Sequence, residues 1–208
     1  MTIDPARSAV LALHWQVNVI KPTGFFGPML AEPVERSGVL ARAVRFHESA
    51  RAAGLPVLFT RFTVPVGGGE LVTNTGFMTA VAAAQEAFRP TAPGAALIPE
   101  MGGQAEPDRV FDNQKLSGLA DSDLPHWLAE HGIDTVFVTG VATNLTVEQT
   151  ARHATDLGLT AYVVSDCVAA ATEVVHAASL ANLDLATAGC RSAQQIIAEL
   201  GESPAAEA

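Results

Sequence analysis

The stretch Gly140-Val-Ala-Thr-Asn-Leu-Thr146 is the part of this chain best placed to hold a ligand. The run before it, Val136 to Val138, is apolar and β-branched, as in a strand buried on both faces, and Gly140 breaks it. From Asn144 the period becomes helical. Leu145, Val147, Ala151, Ala154 and Leu157 share one face, and Gly158 supplies a C-terminal stop. A strand feeding a helix through so short a turn aims several backbone N–H groups, and the positive end of the helix dipole, at one point. In an α/β fold that point lies at the carboxyl edge of the sheet, where ligands bind.

The other chemistry-bearing residues are scattered. Cys167 and Cys190 lack metal-type spacing. His47, His126, His131, His153 and His176 are isolated in helical stretches and read as surface or core-edge groups. His153 follows Thr146 by seven positions, about 10 Å along a shared helix, too far to serve it directly. Val64-Pro-Val-Gly-Gly-Gly69 is a weak phosphate-loop signal because no Gly-Lys-Ser/Thr follows; it reads as a surface connector or lid.

Composition narrows the class. With 208 residues the chain can build one domain with a substantial core, and 49% hydrophobic against 16% charged residues excludes disorder. A formal charge of −10 with two lysines, Lys21 and Lys115, argues against nucleic acid, which needs a basic patch. No run is long and apolar enough for a membrane span, and the N-terminus lacks a signal peptide's charged and apolar regions. A cytoplasmic protein without a disulfide is expected.

The elements that must position the turn follow from periodicity. Strands are expected at Ala9–Leu13, Leu55–Arg61, Ile133–Val138, Thr160–Asp166 and, briefly, Leu183–Ala186. Helices are expected from about Pro33 to Ala53, at 77–89, Asp123–His131, Thr172–Asn182 and Ser192–Leu200, with a loop from Ile20 to Pro33. Strand–helix alternation implies a doubly wound parallel sheet covered on both faces, a single Rossmann-like α/β domain over residues 1–200. Residues 201–208 read as a frayed tail.

The run from Gly140 to Ala154 resembles the signature of the isochorismatase-like superfamily, the cysteine hydrolases, and the resemblance spans roughly residues 8 to 200. It implies a small-molecule hydrolase that forms homo-oligomers. In that pattern an aspartate ends the first strand, a lysine ends the third, which the resemblance places at Asp108–Asn113, and a nucleophilic cysteine follows the turn. Here His14, Asn113 and Thr146 stand at those positions, while Gln16 is in place, Asn18 stands at a second acidic position, and Ser117 sits where a serine is common. The resemblance also implies a cis peptide at Val141–Ala142, with the N–H groups of Ala142 and Thr146 forming an oxyanion hole. Some relatives bind a metal through an Asp/His cluster near residue 70; none is visible in this sequence, so neither metal nor nucleotide cofactor is expected.

Three readings stay open at this point. In the first, His14 is a general acid or base titrating near neutrality, Asn113 orients it or donates to substrate, and Thr146 holds substrate or a water. Thr146 is a poor nucleophile, because a threonine hydroxyl needs a well-placed base. In the second, the cleft binds a small molecule or a partner without chemistry. In the third, the three residues are structural: a cap, a turn residue and a core histidine. Trp15, Asn18, Phe25, Phe26 and Phe62 are expected to shape the pocket around a small polar metabolite. Lys115 reads as solvated and Cys167 as a buried structural thiol.

Overall fold

The computed structural model describes residues 3–69, 71–102 and 106–202. Six strands, β1 (Ser8–Leu13), β2 (Val57–Phe62), β3 (Arg109–Asn113), β4 (Thr135–Val141), β5 (Thr160–Ala169) and β6 (Cys190–Arg191), form one sheet in the order β3-β2-β1-β4-β5-β6. Every pair is parallel. The chain winds outward from β1 in one direction through β2 and β3, and in the other through β4, β5 and β6. The strand order therefore reverses between β1 and β4, the topological switch point where such sheets bind ligands.

Residues of β1 alternate between two cores, as the period of two requires. Val10 and Ala12 face Phe46 and Ala50 of α3 (Val39–Ala52) and Ile196 of α8 (Ala193–Glu202). Ala9, Leu11 and Leu13 face Leu124 and Leu128 of α5 (Leu124–Glu130), Ala151 and Ala154 of α6 (Glu148–Asp156), and Leu183 of α7 (Glu173–Ala186). All six β1 residues are buried, so the strand is sealed on both faces. A third apolar cluster, Phe62, Val64, Met78, Val81 and Phe88, lies beyond the end of β2 and includes residues of α4 (Gly76–Ala83). Among the described residues no helix is long and apolar enough to cross a membrane.

Several boundaries differ from those read in the sequence. The expected loop from Ile20 to Pro33 contains the short helix α1 (Val17–Ile20) and then α2 (Gly27–Ser37), which starts with Pro28 in its first turn and carries Pro33 inside. The single helix expected up to Ala53 is broken at Gly38, whose φ of 66° is left-handed, and α3 starts after it. Helix α7 runs through Leu183–Ala186, where a strand was expected; Ser179 and Leu183 are its buried face at i, i+4 spacing, while Leu185 is exposed. A run of four apolar residues does not by itself distinguish helix from strand. The last strand is Cys190–Arg191 instead. Residues 203–208 of the expected tail lie outside the described residues, whereas Gly201 and Glu202 belong to α8.

Gly140 does not end its strand: β4 continues to Val141. Its φ is 133°, and a Cβ there would meet the Leu13 carbonyl oxygen at 2.3 Å. Glycine is what lets β4 pass this close to the end of β1.

Candidate active site

The carboxyl ends of three strands are brought into register by the sheet. Leu13 pairs with Gly140 on one side and Thr60 on the other, and Phe62 pairs with Asn113. His14 leaves β1 in a left-handed conformation, φ 53°, with its N–H donating to the Thr60 carbonyl at 3.2 Å. Histidine is among the few non-glycine residues enriched in that region. Behind it, Gln16 is fully buried. Its Nε2 donates to the carbonyls of Phe62 and Ala95, its Oε1 accepts from Phe62 N–H, and the exit of β1 is thereby tied to the end of β2.

The His14 ring is buried and meets Phe62 edge-on, with centroids 6.3 Å apart. Burial pushes its pKa down to about 4, and Asn113 opposes that fall in part. The imidazole is therefore neutral at neutral pH, not titrating near neutrality as the isolated side chain would. Asn113 Oδ1 favours the protonated ring without meeting strict hydrogen-bond geometry, since both it and His14 Nε2 lack a hydrogen-bond partner.

Asn113 is fully buried, and its amide orientation is settled by its surroundings. Nδ2 donates to the carbonyls of Lys115 and Ser117, each at 2.8 Å, so the other end of the amide presents an acceptor. The loop that supplies those carbonyls is clamped to α6. Ser117 Oγ pairs with His153 Nδ1 at 2.9 Å and accepts from Leu119 N–H, and Gly118 N–H donates to Thr150 Oγ1. His153 thus acts on the far side of Asn113, not on Thr146.

The turn after β4 is wound more loosely than the helix expected from Asn144. Thr143–Val147 is π-helical and α6 begins at Glu148. Such turns recur at functional sites. The N–H groups of Leu145 and Val147 both reach the Ala142 carbonyl, and Thr143 Oγ1 pairs with His176 Nδ1 of α7 at 2.9 Å. The Val141–Ala142 peptide is cis, as the resemblance implies. Thr146 is buried, and its Oγ1 has no hydrogen-bond partner.

Three of the seven buried side-chain polar atoms without a partner among the described residues therefore fall on His14, Asn113 and Thr146. Leaving such an atom unpaired costs about 1–3 kcal/mol, and a cluster of them calls for an explanation. His14 and Thr146 line one narrow cleft of about 50 Å³, whereas Asn113 lies beside His14 and does not line the cleft. The walls are apolar: Phe26, Met29 and Leu30 of the α2 segment, with Phe62, Phe77, Val81, Leu116, Val141 and Leu145. Phe26 stacks on Phe77 at 5.5 Å, and Phe88 packs behind Phe26 and Phe62. No charged side chain among the described residues lines the cleft.

Of the residues expected to shape the pocket, Phe26 and Phe62 line it. Phe25 forms an outer layer, with its ring centroid 4.8 Å from that of Phe26 and 5.3 Å from that of Phe88. Trp15 and Asn18 lie elsewhere. Trp15 is fully buried in the core shared with α3, on the other side of the chain from His14. Asn18 is buried against Gly94 and donates to the Ala87 carbonyl, so it braces the segment before β3. Lys115 pairs with Asp121 at 3.0 Å and Cys167 is core; neither lines the cleft. Burial raises the Cys167 thiol to about 12 and the Cys190 thiol to about 11, far from thiolate at neutral pH. Asp166 Oδ1 accepts from Ala193 N–H at the start of α8. Among the described residues no group of three or more His, Cys, Asp or Glu side chains could hold a metal ion.

Comparison with known proteins settles the family. Residues 8–195 match the model of the isochorismatase domain. The chain belongs to the isochorismatase family. Members of this family are hydrolases that act on small molecules. The isochorismatase family protein YecD of Escherichia coli, itself uncharacterised, is 27% identical over 205 residues, which cover 95% of this chain and 98% of that protein. The ureidoacrylate amidohydrolase RutB of Methylobacterium radiotolerans is 28% identical, over 88% of this chain and 76% of that one. The crystal structure of a cysteine hydrolase from Pseudomonas syringae superposes with a TM-score of 0.82 at 22% identity, over 97% of this chain and 95% of that one, a likeness of fold.

Sequence reasoning missed two groups of this isochorismatase-family site. Phe77 and Val81 of α4, spaced i, i+4, place two apolar side chains on the cleft wall, a pattern visible within the expected 77–89 helix. Ser117 and His153 are 36 residues apart and carry no local signal of their pairing.

Proposed function

We propose that this chain is a hydrolase that uses water, not a side-chain thiol, as its nucleophile, through a site of His14, Asn113 and Thr146. The observation that carries this reading is that two buried polar side chains, His14 and Thr146, line one otherwise apolar cleft, with Asn113 beside His14, at the ends of β1 and β3 and in the turn after β4. Neutral His14 is in the base form at neutral pH, and can take a proton from a water held by Thr146 Oγ1. The water oxygen adds to the substrate carbonyl carbon, and the N–H groups of Ala142 and Thr146 hold the oxyanion. Collapse breaks the bond to the leaving group, which takes the proton back from His14. Asn113 can only accept in the direction of His14, because its amide N–H groups are spent on Lys115 and Ser117. Its part is to orient the imidazole and stabilise the cation formed there.

A second reading, binding without turnover, is favoured by one observation: an imidazole with a pKa of about 4 is a weak base. Activity profiling over amides, ureas, esters and enol ethers separates the two. Turnover by the wild type that disappears in His14→Ala supports the hydrolase. Ligand-induced stabilisation with no turnover of any class supports the binding protein.

A further inference from the structure

The walls of the same cleft constrain what can enter it. A carboxylate taken out of water into an apolar site needs a cation or a full set of donors, and the two N–H groups and one hydroxyl proposed for this floor suit the single oxygen of a carbonyl rather than both oxygens of a carboxylate. None of the described residues around the cleft is Lys, Arg, Asp or Glu. Its one titratable side chain, His14, is neutral at pH 7. Cations near the lining residues in sequence are committed elsewhere: Lys21 to Glu100, Lys115 to Asp121, Arg61 to Asp112 and Arg89 to Glu86. The polar atoms of the site are confined to its floor, whereas Phe26, Phe62, Phe77, Val81 and Met29 offer only carbon and sulfur to whatever lies above. A ring nitrogen placed among them would be desolvated without a partner.

From this we infer that the cleft selects an uncharged carbonyl compound with a hydrocarbon body, aryl or alkyl, and rejects both carboxylates and heteroaromatic bodies. The inference rests on the reading of His14 and Thr146 as the polar floor of a ligand site. The carbonyl head meets that floor, and the body lies along the aromatic wall, where Phe26 and Phe77 are stacked. Shape-matched amide–carboxylate pairs then separate by charge alone, and benzene–pyridine pairs by one nitrogen.

The test is equilibrium binding to the wild-type chain at pH 7.5, by titration calorimetry or ligand-observed NMR, with benzamide, benzoate and nicotinamide. Benzamide is expected to bind at least tenfold more tightly than benzoate and at least fivefold more tightly than nicotinamide. Benzoate or nicotinamide binding as well as benzamide overturns the inference, and so does no binding by any of the three. Met29 sits at the mouth and is 43% exposed, so Met29→Arg can be made without disturbing the core. It is expected to raise benzoate affinity at least fivefold relative to benzamide; an unchanged benzoate-to-benzamide ratio overturns the assignment of the charge discrimination to the missing cation. The two proposals fail separately. A chain that binds benzamide selectively but hydrolyses nothing removes the hydrolase reading and keeps the ligand class. A chain whose best substrate is a carboxylate keeps the hydrolase and removes the ligand class.

Discussion

Replacing Thr146 by valine separates a residue kept for its chemistry from one kept for the fold. The two side chains are both β-branched and nearly the same shape, and Thr146 is only 2% exposed, so the change is confined largely to one atom. What changes is Oγ1, a buried oxygen with no hydrogen-bond partner in the protein. Desolvating an unpaired hydroxyl costs about 1–3 kcal/mol, and valine removes that cost. The lower end of the range is the expected gain, since the cleft beside Thr146 is open enough to admit water. Thr146→Val is therefore expected to stabilise the chain by about 1 kcal/mol, which for a domain of this size raises Tm by about 2–4 °C. Turnover should fall at least tenfold in the same variant. The assays are urea unfolding or calorimetry, beside kcat/KM on the best substrate from profiling. A loss of stability of about 1 kcal/mol or more refutes the reasoning, because it means the hydroxyl serves the fold.

Other expectations follow from the same geometry. Burial depresses His14 to about 4, and burial with Arg51 depresses His47 to about 3, so the unfolded chain binds more protons than the folded one below pH 6.5. Stability is then fully present above pH 6.5 and falls as pH drops toward 4 and 3; at pH 5 each group has cost about 2 kcal/mol, about 4 together. Urea unfolding at pH 5 and pH 8 measures the difference, and His47→Gln should roughly halve the histidine part of it. His153→Phe keeps an aromatic ring but removes the nitrogen that holds Ser117, so the loop that fixes Asn113 loosens. A fall in kcat of about tenfold with little change in KM is expected, partly restored by His153→Gln; an unchanged kcat assigns the pair to packing alone. Gly140→Ala should cost about 3 kcal/mol or more, read by thermal unfolding, because the new Cβ meets Leu13 backbone at a position whose φ is 133°.

How much of this was legible from residues alone depended on distance along the chain. Strands β1, β2, β4 and β5 announced themselves as short apolar runs, whereas β3, with Arg109, Asp112 and Asn113 among its five residues, was placed through the family resemblance; the parallel order followed from the alternation with helices. His14, Asn113 and Thr146 were found through the resemblance to the isochorismatase-like pattern, whose marked positions fall just after β1, at the end of β3 and in the turn after β4. Where two residues meet through the fold, sequence was silent. The clamp between Ser117 and His153 joins a loop to a helix, and the stack of Phe26 on Phe77 joins α2 to α4. Trp15 and Asn18 show the opposite failure: they are near His14 in sequence, but a turn of the backbone sends one into the core and the other against Gly94. The acidity of His14 was out of reach for the same reason, since it is set by what surrounds the ring and not by the ring itself.

The claim beneath all of this is that His14 and Thr146 act on one bound molecule. A double-mutant cycle in kcat/KM, with His14→Gln, Thr146→Val and both together, tests it most directly. Residues that work as a unit are strongly non-additive, so the double variant is expected to lose no more than about tenfold beyond the worse single variant. Losses that multiply across the two sites would mean that the side chains act independently, and would contradict a shared site.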